Sequence, residues 1–81
     1  MSNINKELTV FPNPSFDRIN FEFKSKSNQE FIVQIVNLKG QLIFTKKQRD
    51  NFVDVSNLPK GSYILTIQTS SEFYSSQFFK K

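Results

Sequence analysis

The residues left for chemistry in this chain are carboxylates, hydroxyls, lysines and arginines, because its 81 residues include no Cys, His or Trp. Without Cys there is no disulfide staple and no thiolate zinc site within the chain. Without His the usual general base and the commonest imidazole metal ligand are missing. Seven Asp and Glu, eleven Lys and Arg and the hydroxyls make a poor catalytic inventory. The protein is therefore expected to be no enzyme, and no metal or other cofactor is expected.

The net charge is +4, and a basic surface attracts nucleic acid, anionic lipid or acidic glycan. The cations are spread along the chain, with short clusters only at Lys46-Lys47-Gln48-Arg49 and Lys80-Lys81. These read as a solvated loop and a solvated tail. A single-strand nucleic-acid binder needs aromatics interleaved with cations on one face, whereas the outward positions of residues 18–24 are Asn20 and Glu22. Nucleic acid is thus not expected as a partner. No apolar run approaches the roughly 20 residues that span a bilayer as a helix, so direct membrane insertion is not expected. Met1 leads into polar Ser2, Asn3 and Asn5 with no signal-peptide pattern. Met1 reads as an expression start, with the natural chain continuing upstream.

Stepping out from those side chains to the backbone, residues 57–69 organise the rest. Pro59 suits the second position of a type I turn and Gly61 its last. From Gly61 onward Tyr63, Leu65 and Ile67 alternate with Ser62, Thr66 and Gln68, as in a strand with one face buried. Such a strand needs edge partners and a covering sheet. Residues 8–11 supply a short strand, stopped by Pro12-Asn13-Pro14, a stiff corner suited to carrying the chain from one sheet edge to another. Residues 18–24 alternate cleanly, with Ile19, Phe21 and Phe23 inward. A polar loop at 25–30 precedes residues 31–36, whose β-branched run reads as a central strand. Asn37-Leu38-Lys39-Gly40 predicts a type I turn with a bulge at Gly40, returning through residues 41–46. Further strands are expected at 51–55 and 72–79. Ten Phe are read as the core material. Seven short strands without helical periodicity predict an all-β, seven-stranded antiparallel β-sandwich, with a barrel as the alternative. Residues 1–7 are read as a disordered linker and residues 8–81 as one domain.

The ordered set of a Val-Phe strand, Pro12-Asn13-Pro14, the Asn37-Leu38-Lys39-Gly40-Gln41-Leu42 hairpin, Val53-Asp54-Val55-Ser56-Asn57-Leu58-Pro59-Lys60-Gly61-Ser62-Tyr63 and an aromatic last strand ending in lysines resembles the type A C-terminal sorting domain of the type IX secretion system of Bacteroidetes. The resemblance covers residues 8–81. It implies an immunoglobulin-like sandwich at the end of a larger secreted protein, acting as an address. It implies recognition by the type IX translocon and its outer-membrane shuttle protein, then removal by a cell-surface sortase-like peptidase near or before Leu8. The cargo would reach the cell surface or medium through the periplasm and outer membrane. Carried over by position, the recognition residues are Pro12, Asn13, Pro14, Gly40, Leu58, Pro59, Gly61, Tyr63, Phe78, Phe79, Lys80 and Lys81. Phe78 and Phe79 depart from the family, where aliphatic residues are commoner.

Each of these residues also has a structural role open to it. Gly40 and Gly61 serve turn geometry, Leu58 and Tyr63 serve the core, and Pro12-Asn13-Pro14 serves a corner. Lys80 and Lys81 have no packing role to play in this reading, except that Lys also guards an exposed strand edge against unwanted pairing. Whether two copies associate through edge strands is left open. A carbohydrate-binding or adhesive β-sandwich is the alternative function, weakened by the absence of Trp and the presence of only two Tyr.

Overall fold

The computed structural model describes residues 8–12, 14, 16–23, 30–70 and 72–81. The linker expected at 1–7, Asn13 and the polar loop at 25–29 lie outside the described residues. Seven strands follow in order: β1 (Leu8–Phe11), β2 (Arg18–Phe23), β3 (Phe31–Asn37), β4 (Leu42–Gln48), β5 (Phe52–Asp54), β6 (Gly61–Gln68) and β7 (Phe73–Lys80). They form a three-stranded sheet, β1-β2-β5, and a four-stranded sheet, β4-β3-β6-β7. Every pairing is antiparallel. The expected sandwich is present and the strands do not close into a barrel.

Alternation builds the core between the sheets. Ile19 and Phe21 of β2, with Val53 and Val55, face Phe31, Val33, Ile35, Leu65, Ile67 and Phe78 of the larger sheet. Three rings, Phe21, Phe23 and Phe31, meet there at centroid distances of 5.2–6.2 Å, mostly in the edge-to-face geometry aromatic pairs favour. Each fully buried large side chain contributes about 1.5–3 kcal/mol. Truncating Ile35, which has no exposed surface, costs about 2–5 kcal/mol.

Several sequence expectations are revised. The segment at 12–17 does not carry the chain between sheets: it returns β1 onto its neighbour β2, pairing Phe11 with Asn20. Strand β4 runs to Gln48, so Lys46 and Lys47 stand on a strand rather than a loop. Gln48 is buried, and its side-chain amide donates to the carbonyls of Asp50 (2.7 Å) and Phe52 (2.9 Å), holding the passage from β4 to β5. Phe is only partly core material. Phe11, Phe16, Phe52, Phe73 and Phe79 are exposed, and aliphatic residues supply much of the interior.

The order β4-β3-β6-β7 places β4 beside β3, as strand C′ lies beside C in variable-type immunoglobulin domains. The short Asn37–Gly40 turn returns the chain directly alongside β3, and the strand lengths agree with that pairing. Seven-residue β4 matches seven-residue β3, whereas β5 has three residues and offers β4 little to pair with.

Candidate functional site

The strand registers bring four separate segments to one end of the sandwich. In the larger sheet Asn37 pairs with Tyr63, Tyr63 with Phe78, and Gly61 with Lys80. The β3–β4 hairpin, the start of β6 and the finish of β7 therefore share an end. In the smaller sheet the 12–17 loop lies at the same end, because Asp17 accepts the Val55 amide (2.8 Å) just before the chain crosses to β6.

The hairpin is built as its residues predict. The Gly40 amide donates to the Asn37 carbonyl (3.0 Å), and Gly40 has φ of +85°, in the left-handed region. The Asn37 side-chain oxygen accepts the amides of Lys39 (2.9 Å) and Gln41 (3.0 Å), while its amide donates to the Gln41 side-chain oxygen (2.8 Å). Farther along the ladder the pairing shifts register between Ile35 and Val36, passing over Ile43, an irregularity separate from the one predicted at Gly40.

The second turn differs from its prediction. Its hydrogen bond runs from the Leu58 amide to the Val55 carbonyl (3.0 Å), so the closed turn lies before Pro59 and not across it. Asp54 organises it, its carboxylate accepting both the amide (2.9 Å) and the hydroxyl (2.7 Å) of Ser56. Those two bonds, joined by the nearby Arg18 charge, hold the Asp54 carboxyl below its usual pKa. Gly61 opens β6 with φ of +150°. Tyr63 is buried, and its hydroxyl donates to the Pro59 carbonyl (2.6 Å), fastening the 58–60 segment to the core. Tyrosine corners in immunoglobulin-like sandwiches use the same kind of bond. Half-buried Leu58 packs against that core.

The final residues correct the solvated-tail reading. Lys80 is buried, 7% exposed, and its ammonium donates to the Lys81 carbonyl (2.9 Å). The stem of a Lys can lie along apolar surface while its head finds an oxygen. Phe78 is buried and stacks on Tyr63 with ring centroids 5.7 Å apart, whereas Phe79 is exposed. Lys81 is exposed and its ammonium sits 5.5 Å from the centroid of the Phe16 ring, within cation–π range. Pro12 and Pro14 are exposed beside it in sequence. Apart from Asn13, which lies outside the described residues, all the sequence-predicted positions thus sit at this end. They divide into exposed Pro12, Pro14, Gly40, Pro59, Phe79 and Lys81, half-buried Leu58 and Gly61, and buried Tyr63, Phe78 and Lys80.

Phe16, Asp54 and Ser56 belong to this end and were not among the predicted site residues. An Asp two positions before a Ser in a turn-rich segment is a signal for the Asp54 turn. Nothing local signals Phe16, whose partner is 65 positions away. Among the described residues no group of three or more His, Cys, Asp or Glu could hold a metal ion. Among the described residues no helix is long and apolar enough to cross a membrane. The arrangement offers a shaped, cationic and partly aromatic surface.

Residues 9–81 match the family described as "Secretion system C-terminal sorting domain". Over 63 residues the chain is 36% identical to beta-agarase D of Zobellia galactanivorans, a match covering 76% of this chain and 12% of that protein. The chain thus spans a small part of the curated relative it matches.

Proposed function

The chain belongs to the family of type IX secretion system C-terminal sorting domains, and on that premise we propose that it is read as a folded address by the outer-membrane export machinery. Proteins carrying such a domain are exported to the cell surface or secreted. The domain interacts with the secretion system, and the family is one of sorting signals rather than enzymes. In the finer reading, an outer-membrane shuttle protein and the type IX translocon recognise the domain, the cargo passes from the periplasm, and a sortase-like peptidase then removes the domain near or before Leu8. The domain itself catalyses nothing. Beta-agarase D supplies a parallel: its matched stretch is a small fraction of its length, as a tag carried by a larger cargo would be.

The observation that supports this reading best is the convergence of four sequence-distant segments on one end of the sandwich. A recognition surface needs groups held at fixed mutual positions on a rigid frame. In this proposal exposed Pro12, Pro14, Gly40, Pro59, Phe79 and Lys81 face the receptor, and Asn13 counts as a recognition residue by its place in the Pro12-Asn13-Pro14 motif. Leu58, Gly61, Tyr63, Phe78 and Lys80 hold that surface in shape.

Fusing residues 8–81 behind a signal-bearing reporter tests the proposal in a host that has the exporter. The reporter is expected outside the cell or on its surface. Deleting residues 73–81 is expected to leave it in the periplasm. Retention of the full fusion inside the cell, or equal export without the last strand, overturns the reading.

A further inference from the structure

We propose that the converged end is a single composite docking surface for an acidic protein partner, with Phe16 as its aromatic anchor. This rests on the sorting reading above and names the chemistry of the partner that reading requires.

Charge supports the choice of partner. Arg18, Lys39, Lys60, Lys80 and Lys81 gather at this end, against Asp17 and Asp54 among the described residues. All but Lys80 of the cations are exposed. The concentration is invisible in the sequence, where no two of these residues adjoin except Lys80 and Lys81. Opposite charge on the partner would steer encounter and fix orientation.

Phe16 supports the protein class. It is 59% exposed, a large apolar ring left in water beside the core that buries Phe21, Phe31 and Phe78. Its interaction with Lys81 joins the 12–17 loop to the end of β7. Phe79 of β7 is exposed as well. Phe16 and Lys81 thus set an aromatic and a cationic group side by side. Such aromatic and cationic anchors fit a cleft that offers an apolar pocket with carboxylates at its rim. The proline motif and the lysine motif, far apart in sequence, are on this account two halves of one epitope.

The test uses the reporter fusion of residues 8–81, with the unaltered fusion confirmed as exported before any variant is scored. That step separates failure of the sorting reading from failure of this inference. Phe16→Ser, and separately Lys39→Glu with Lys60→Glu, are expected to lower export roughly tenfold, the size of effect a contact hot spot carries. Phe16→Tyr, which keeps the ring, is expected to restore it. Lys46→Glu with Lys47→Glu makes the same charge change away from this end and is expected to export normally. Thermal midpoints of the purified variants within a few degrees of the parent establish that folding is intact. Normal export of Phe16→Ser and of the Lys39/Lys60 pair overturns the proposal. So does equal loss from the Lys46/Lys47 pair, which would mean total charge matters and not its place. In a second arm, the purified fusion is mixed with outer-membrane vesicles of the host and with protein-free vesicles of the lipopolysaccharide and phospholipid extracted from them. Binding confined to the protein-bearing vesicles is expected. Equal binding to both, weakened by the same variants, assigns the surface to anionic lipid and overturns the protein partner.

Discussion

Asn37 and Asp54 each fold a side-chain oxygen back onto the amide two residues ahead, one with a neutral amide and the other with a carboxylate. Both turns sit at the same end of the sandwich and both lead to a Lys-Gly pair, Lys39-Gly40 and Lys60-Gly61. The first joins neighbours in one sheet and is closed entirely by its own residues. The second carries the chain from the smaller sheet to the larger and leans on Tyr63 and Leu58 for support. A turn within a sheet is held by the ladder beside it. A crossing turn has no ladder and must borrow stability from the core.

Substitutions tell the two turns apart. The largest expected effect is at the borrowed support: Tyr63→Ala should cost about 3–5 kcal/mol, as other buried aromatics do. Leu38→Ala in the exposed first turn should stay within about 0.5 kcal/mol. Urea unfolding of the two variants measures both, and similar losses would erase the distinction.

Next come the glycines. An added Cβ meets nothing within 4 Å at either Gly40 or Gly61, so the cost of a side chain there is backbone strain alone. Gly61→Ala is expected to cost about 1–3 kcal/mol and Gly40→Ala about 1–2 kcal/mol. Asn enters the left-handed region more readily than Ala, so Gly40→Asn should regain part of the loss. Gly61→Asn should not, because φ of +150° lies beyond that region.

Smaller losses follow from single hydrogen bonds. Tyr63→Phe leaves the ring in the core but frees the Pro59 carbonyl, for about 0.5–1.5 kcal/mol. Thermal midpoints should fall by a few degrees.

The smallest effect distinguishes the turns by pH. Asp54 is exposed, and its bonds from Ser56 hold its carboxyl below the usual aspartate range in the folded state. A lowered carboxyl pKa adds stability above the unfolded value, and that stability is lost as pH falls through the folded one. The second turn should therefore loosen in acid below about pH 4, while the Asn37 turn contains no carboxylate. Carboxyl NMR titration should show Ser56→Ala moving Asp54 upward, since the Ser56 bonds are the main cause of its shift. An unmoved titration would remove Ser56 from that account.

How much of this was legible beforehand depends on the range of each interaction. Period-two alternation marked Ile19, Phe21, Tyr63, Leu65 and Ile67 as inward, and all are buried; Phe23, marked with them, is half-buried. The Asn37–Gly40 turn was legible for the same reason: its hydrogen bonds close within five residues. The position of the second turn was missed because Pro59 satisfies a local preference that the Asp54 carboxylate and the Tyr63 hydroxyl override. Of the proposed surface, the exposed prolines and Lys81 were named from the sequence. Phe16 was not, since a lone Phe in a loop carries no periodic signal.

By itself the sequence determined the strands, their inward faces, the first turn and the lack of Cys and His on which thiolate or imidazole chemistry depends. These follow from backbone sterics, side-chain alternation and residue chemistry, all of which act over a few positions. Tertiary packing alone settled that the 12–17 loop stays within one sheet, that Lys80 is buried, and that Lys81 meets Phe16. Each of those depends on which distant segment comes to lie alongside. A local pattern says which way a side chain faces, but packing alone says what it meets there.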